Sequence, residues 1–322
     1  MSTSTAIRCA TDEATFHTRF ATYLKARFPL LSHGVMVTSY VAANWAVARA
    51  ATFADDPVSF APRFIAVNVA LVLFFFHLRV FDEHKDAEVD AVFHPERPVP
   101  SGVVSLHELR VAGGVAIALE FALACACGPD VVRALAVAFV YSVLMLREFF
   151  VAGWLRRHFV TYAVSHMLVM PLLALTVYSC AAARESCAAP ETFALFVGAG
   201  FFAAFGWEVS RKLRTPDDEV EGDETYSSRL GVWGAAAAYV LVQGLGAACL
   251  YVVGERLALA PWFGGLVVSV FVGNVGAAIR FVVLTSRASA KLVNGFASLT
   301  LVGTNLATVI AVVGAAGVEW VR

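Results

Sequence analysis

Three aspartates, Asp82, Asp86 and Asp90, recur at four-residue intervals in LRVFDEHKDAEVDAVFHPERPVPSG, residues 78–102, directly behind a long apolar run. Residues four apart stack on one face of a helix, so the spacing aims three carboxylates into one volume. Like charges that close repel, and a multivalent cation is the usual reason a protein keeps them together. A second acidic stretch, GWEVSRKLRTPDDEVEGDETYSSRLG at 206–231, carries Glu208, Asp217, Asp218, Glu219, Glu221, Asp223 and Glu224, and the two stretches hold 13 of the 25 acidic residues. Taken alone, the second reads equally well as a solvated acidic loop. Mg2+ takes oxygen ligands and is commonly held by one or two carboxylates plus substrate phosphate oxygens. Two carboxylate-rich walls therefore suit a metal-bound diphosphate, with Asp82, Asp86, Asp90 and Glu208 as candidate ligands and Asp218 or Glu219 beside them. The interleaved cations Lys85, Arg97, Arg147, Arg211 and Lys212 suit the remaining phosphate oxygens. Each of them also reads as a residue that sets membrane topology; Arg97, held rigidly in RPVP, is the strongest candidate.

The elements that position these groups are membrane helices. Of 322 residues, 59% are hydrophobic and only 15% charged, with mean hydropathy +0.72, far from the roughly 25% charged of soluble domains. Apolar runs of about 20 residues cross a bilayer. Nine candidates fall near 31–50, 61–81, 103–127, 131–150, 159–181, 192–212, 232–253, 261–284 and 294–318. The fourth ends in LREFF, which leaves its terminus open. Residues 1–30 form an N-terminal segment in which FHTRFATYLKARFPL reads either as a short helix in the membrane interface or as an ordinary flanking stretch. It lacks the compact apolar run of a removable signal peptide. No linker separates two folded units, so residues 1–322 are expected to form a single membrane domain. Nucleic-acid binding is excluded as an expectation, because the net charge is −1 and the Lys and Arg residues form no basic patch. His166, at membrane depth, reads as a helix–helix hydrogen bonder before a catalytic base. Phe74 to Phe76 read as packing or lipid-facing rings. Of the six cysteines, Cys180 and Cys187 flank one loop and are a candidate pair.

Cytoplasmic loops carry excess Lys and Arg. With nine spans, 18 of the 24 basic residues fall on the side of both acidic stretches. That places the N-terminus and the acidic mouth in the cytoplasm and the C-terminus outside, in what is expected to be a bacterial inner membrane. Acidic residues contribute little to topology, so their concentration on one side asks for a functional reason.

DExxDxxxD at Asp82 to Asp90, followed by HPERPVPSG ending at Gly102, resembles the first signature of the UbiA superfamily of intramembrane prenyltransferases, usually NDxxDxxxD followed by RPLPSG or RPxxxG. The second stretch resembles that superfamily's second Asp-rich motif, which leads into a Gly and a Thr, here Gly222 and Thr225. The resemblance implies an all-α polytopic fold of nine transmembrane helices around a central cavity. It implies Mg2+, a prenyl diphosphate donor and an aromatic or other lipophilic acceptor drawn from the membrane, with Asp82, Asp86, Asp90 and Arg97 in catalytic positions. There are departures. Asp82 stands where the family usually has Asn; Glu208 holds the first acidic position of the second motif, Arg211 falls where Tyr is expected, and the middle Asp has no counterpart near Thr215. Counted back from Gly222, the last acidic position is Asp218 or Glu219. Two other functions fit the same residues: a terpene cyclase that ionises the same diphosphate without an acceptor, and a transporter of a cation or organic anion. Acidic groups clustered at one membrane face argue against the transporter.

Overall fold

The computed structural model describes residues 15–53, 56–183, 185–219 and 225–321. Helix α1 (Phe16–Arg27) is followed by α2 (Leu30–Thr52), strand β1 (Val58–Phe60), α3 (Pro62–Lys85), the short α4 (Ala87–Phe93), α5 (Leu106–Cys127) and α6 (Pro129–Leu146). Next come α7 (Ala152–Arg157), α8 (Phe159–Met167), α9 (Val169–Ala181), α10 (Pro190–Arg211), α11 (Tyr226–Arg256) and α12 (Pro261–Leu284). Helix α13 (Arg287–Ser298) passes through a π-helical turn (Leu299–Gly303) into α14 (Thr304–Ala316), and β2 (Val318–Trp320) closes the chain in parallel pairing with β1.

Local chemistry sets these boundaries. Helices α3, α6, α10 and α12 each begin on a proline, whose missing N–H costs nothing in the first turn. Gly128 turns α5 into α6 at φ +121°, a conformation that side-chain-bearing residues avoid. Pro171 has no N–H to offer the carbonyl four residues back, and the fifth span breaks at Leu168 into α8 and α9. The LREFF segment settles as a stop: α6 ends at Leu146, and Glu148, Phe149 and Phe150 follow with φ of 46°, 53° and 60°, a left-handed turn of three consecutive residues that bear side chains.

Among the described residues, eight helical segments are long and apolar enough to cross a membrane: α3, α5, α6, α8 with α9, α10, α11, α12, and α13 through α14. They follow eight of the nine expected spans closely. The ninth, α2, has the length at 23 residues but falls outside that apolar set, so the count of nine does not stand on length and composition. The reason lies in its surroundings. Helix α2 packs against α3, α9, α10 and α14 at once, and it buries the polar Ser39, Asn44 and Arg49 beside Tyr40 and Trp45. A cavity of about 30 Å³ is lined from α10, α11, α12 and the π turn into α14. Phe74 is fully buried and Phe76 nearly so; neither faces lipid.

The bundle holds a fully buried polar cluster on α3, α5 and α6. His77 of α3 places Nδ1 2.8 Å from a carboxylate oxygen of Glu120 on α5 and Nε2 3.2 Å from the hydroxyl of Ser142 on α6, and all three side chains are inaccessible. Such groups survive at membrane depth because each satisfies the others.

Candidate functional site at the acidic mouth

Helix α3 delivers the first acidic motif to one end of the bundle and bends as it arrives. Asp86 is both the last cap of α3 and the first of α4, at φ −95° and ψ 5°. The backbone keeps its ladder, with the Asp86 N–H on the Asp82 carbonyl at 2.9 Å and the Asp90 N–H on the Asp86 carbonyl at 2.8 Å. The three aspartates are nevertheless divided between two helices, and their surroundings differ sharply. Asp82 is half open, with Arg79 and Lys85 each 3.9 Å away. Asp86 is half-buried, and burial, joined by the charges of Asp82 and Asp90 and opposed by Lys85, holds its carboxyl above the ordinary range. Asp90 is buried and committed to cations: Arg97 donates to it at 2.5 Å, and Arg27 of α1 stands 3.7 Å away.

Proline chemistry shapes the loop behind them. Pro95 disfavours helix at His94 and ends α4. The RPVPSG stretch then folds on itself, the Ser101 N–H bonding the Arg97 carbonyl at 2.9 Å, and reaches Gly102 at φ +80°. Ser105 and Glu108 form a capping box that starts α5. Glu108 is also gripped by Arg19 of α1 at 2.6 Å.

Helix α1 is therefore a wall of the mouth. Its ring face stacks Phe16 on Phe20 and Phe20 on Tyr23, with Phe20 and Phe28 edge-on to Phe76 of α3. Its polar end sends Arg27 to the carboxylate of Glu83 at 2.7 Å, where Arg79 also donates at 2.7 Å. Glu83 is buried. Arg27, Arg79 and Glu83 stand at this mouth although none of them is among the candidates that the sequence singles out. A signal existed in Arg79 and Glu83, an i, i+4 pair on the last turn of a span. Nothing in the sequence pointed Arg27 at them.

Across the bundle, α10 carries Glu208 to the same end. Lys212 lies 3.1 Å from the Glu208 carboxylate and Arg211 4.0 Å, while the Arg211 guanidinium rests 4.7 Å above the Trp207 ring. Lys85 donates to the Tyr162 hydroxyl of α8 at 3.1 Å, and that ring stacks on His166 at 4.2 Å. Arg147 is an exposed cap at the end of α6.

Asp218 and Glu219 go elsewhere. The Thr215–Pro216 break ends the run of α10, and Asp218 is taken by Arg287 of α13 and by the Thr215 hydroxyl at 2.8 Å; these partners hold its carboxyl below the usual range. Glu219 accepts from Thr225 at 2.7 Å. Both line a surface pocket of about 700 Å³ with Arg211, Arg214, Lys291 and Asn294, a pocket to which none of Asp82, Asp86, Asp90 and Glu208 contributes. Glu221, Gly222, Asp223 and Glu224 lie outside the described residues. Among those described, no three His, Cys, Asp or Glu side chains converge tightly enough to make a ready metal cage.

A helical membrane bundle with opposed acidic and basic groups at one end is a recognisable class, and the comparisons place this chain within it. The profile of the UbiA prenyltransferase family matches residues 37–302, and the chain belongs to that family. No curated protein sequence matches it. Among solved structures, it is similar to a digeranylgeranylglyceryl phosphate synthase at TM-score 0.62 and 12% identity, over 92% of this chain and 99% of that one. It is also similar to the apo structure of a UbiA homolog from Aeropyrum pernix K1, at TM-score 0.60 and 15% identity, over 85% of this chain and 96% of that one. At these identities the likeness is one of fold.

Proposed function

We propose that this chain is a Mg2+-dependent intramembrane prenyltransferase that takes an allylic prenyl diphosphate at the acidic mouth and passes its prenyl group to an aromatic or other lipophilic acceptor in the membrane. The observation that carries the reading is the placement of Asp82 on α3 and Glu208 on α10 at one end of the bundle, with Lys85 3.9 Å from the first and Lys212 3.1 Å from the second. The family match over residues 37–302 supports treating the chain as one membrane domain, and the excess of basic residues at the acidic end supports a cytoplasmic mouth.

The residues present fit a divalent cation in part. Among the described residues the nearest cations to Asp82 stand at 3.9 Å, and burial leaves the Asp86 carboxyl harder to ionise than usual. Those carboxylates, with Glu208, suit an ion that also takes phosphate oxygens. Asp90 fits less well while Arg97 and Arg27 occupy it, and Asp218 and Glu219 answer to a separate pocket. Bound Mg2+ would supply neutralisation of the diphosphate as its bond to the allylic carbon breaks. Lys85 and Lys212 present ammonium groups to the remaining phosphate oxygens, each tethered by a neighbour, Tyr162 and Glu208 respectively. Arg97 acts through Asp90 and keeps the RPVPSG loop against the mouth. The apolar bundle below holds the prenyl chain and keeps water from the allylic cation.

The test uses purified protein in lipid nanodiscs with geranyl, farnesyl and geranylgeranyl diphosphates, with and without Mg2+ and a lipid extract as acceptor source. Diphosphate release that requires Mg2+ and acceptor is expected. Asp82→Ala and Glu208→Gln should each lower it on the order of 100-fold, the scale of losing metal affinity. Release without acceptor, yielding hydrocarbon or terpene alcohol, would assign cyclisation instead. No release from any donor, or unchanged release in Asp86→Ala, would remove the reading.

A further inference from the structure

The face opposite the acidic mouth brings together two thiols that the mouth chemistry does not use. Cys127 is the last residue of α5 and Cys180 lies one residue from the end of α9. Each donates to the same acceptor, the carbonyl of Arg63 at the start of α3, at 3.7 Å. Cys180 is 1% exposed, whereas Cys127 is partly open. The candidate pair read from the sequence, Cys180 with Cys187, is not the one the fold assembles. Cys187 turns to the Ala51 carbonyl at 3.6 Å.

We propose that Cys127 and Cys180 are a redox pair that closes to a disulfide and staples α5 to α9. Two features support closure. The sulfurs converge on one acceptor, each 3.7 Å from the Arg63 carbonyl oxygen, so the fold brings the two thiols to one point. The basic residues gather at the opposite end of the bundle, which directs this face to the outer, oxidising side of the membrane, where disulfides persist. The chemistry balances as exchange with an external disulfide. Cys127, the accessible partner, attacks as thiolate; the external S–S bond breaks, a mixed disulfide forms and one thiolate leaves. The Cys180 thiolate then attacks the Cys127 sulfur and expels the second thiolate. Two electrons and the two thiol protons pass to the external compound, which ends as two thiols. The closed ring runs from residue 127 to 180 and contains α6 to α9, including the Tyr162 that holds Lys85 at the mouth. The staple thus restrains from the far side the segment that completes the basic wall.

The experiment traps thiols in intact membranes with N-ethylmaleimide, then digests the unreduced wild-type protein for mass spectrometry. A peptide pair joining Cys127 to Cys180, which separates on reduction, is expected, with Cys125, Cys187 and Cys249 alkylated. Cys127→Ser should leave Cys180 open to alkylation after denaturation, and the reverse for Cys180→Ser. Alkylation of both Cys127 and Cys180 in the unreduced wild type, or a linkage of Cys180 to Cys187, would overturn the proposal. Because the readout is the linkage and not turnover, it stands or falls independently of the assigned reaction.

Discussion

Replacing Arg27 by methionine tests whether α1 belongs to the mouth. The change keeps an apolar stem and deletes the guanidinium that donates to Glu83 at 2.7 Å and approaches Asp90 at 3.7 Å. The Glu83 side chain is 1% exposed and that of Arg27 16%, so surface screening does not dilute the pair as it would an open one. Losing one partner of a buried ion pair costs about 3–5 kcal/mol when the other charge is left alone. Glu83 is not left alone, because Arg79 still donates to it. The expected loss is therefore nearer that of one hydrogen bond to a charged group, about 1.5–3 kcal/mol. A double-mutant cycle with Glu83→Gln isolates the interaction, read as the midpoint of SDS-induced unfolding in mixed micelles. A coupling energy of about 1.5 kcal/mol or more between the two sites agrees with the geometry. Additive effects, with coupling under about 0.5 kcal/mol, would show that α1 merely rests on the bundle.

Other expectations concern the buried core and the rim. His77→Leu or Glu120→Leu alone should destabilise by about 3–5 kcal/mol, since each strands a partner with no access to water, while the double replacement should recover much of that loss; a double variant that costs the sum of the two singles, by the same unfolding assay, would contradict a shared network. Asp218 gives a pH signature. Its carboxyl is held below its unfolded value by Arg287 and Thr215, so its contribution to stability is complete above the unfolded value near pH 4 and is lost as pH falls through the lower folded one. Thermal melts of Asp218→Asn between pH 5 and 2.5 should fall less steeply than those of the wild type, and parallel curves would refute the pairing.

The spans were legible because about 20 apolar residues between polar breaks leave few other structures in a bilayer, and α3, α5, α8 with α9, α10 and α12 begin and end within a few residues of their expected limits. Helix α2 shows where that reasoning stops. A helix surrounded by other helices is freed from the lipid and can carry Asn44 and Arg49, so its hydropathy under-reports its position. The first acidic motif was legible as three carboxylates but not as three environments, because the bend at Asp86 and the arginine of a helix some 60 residues upstream decide which of them remain open. Asp218 and Glu219 illustrate the same limit. Spacing from Gly222 selected them, whereas the Thr215–Pro216 break and an arginine on α13 decide where they point.

The small parallel ribbon of β1 and β2 constrains assembly in time. Val58 pairs with Val318 and Phe60 with Trp320, and Val321 donates to the Phe60 carbonyl at 2.7 Å. These partners are separated by almost the whole chain, the most expensive kind of contact to form early. While the ribosome is still delivering α12 and α13, α2 has no α14 to lean on and its buried Asn44 and Arg49 lack their final surroundings. The ribbon therefore joins the two ends of the bundle only after residue 320 has been made, so it is among the last contacts this chain can form.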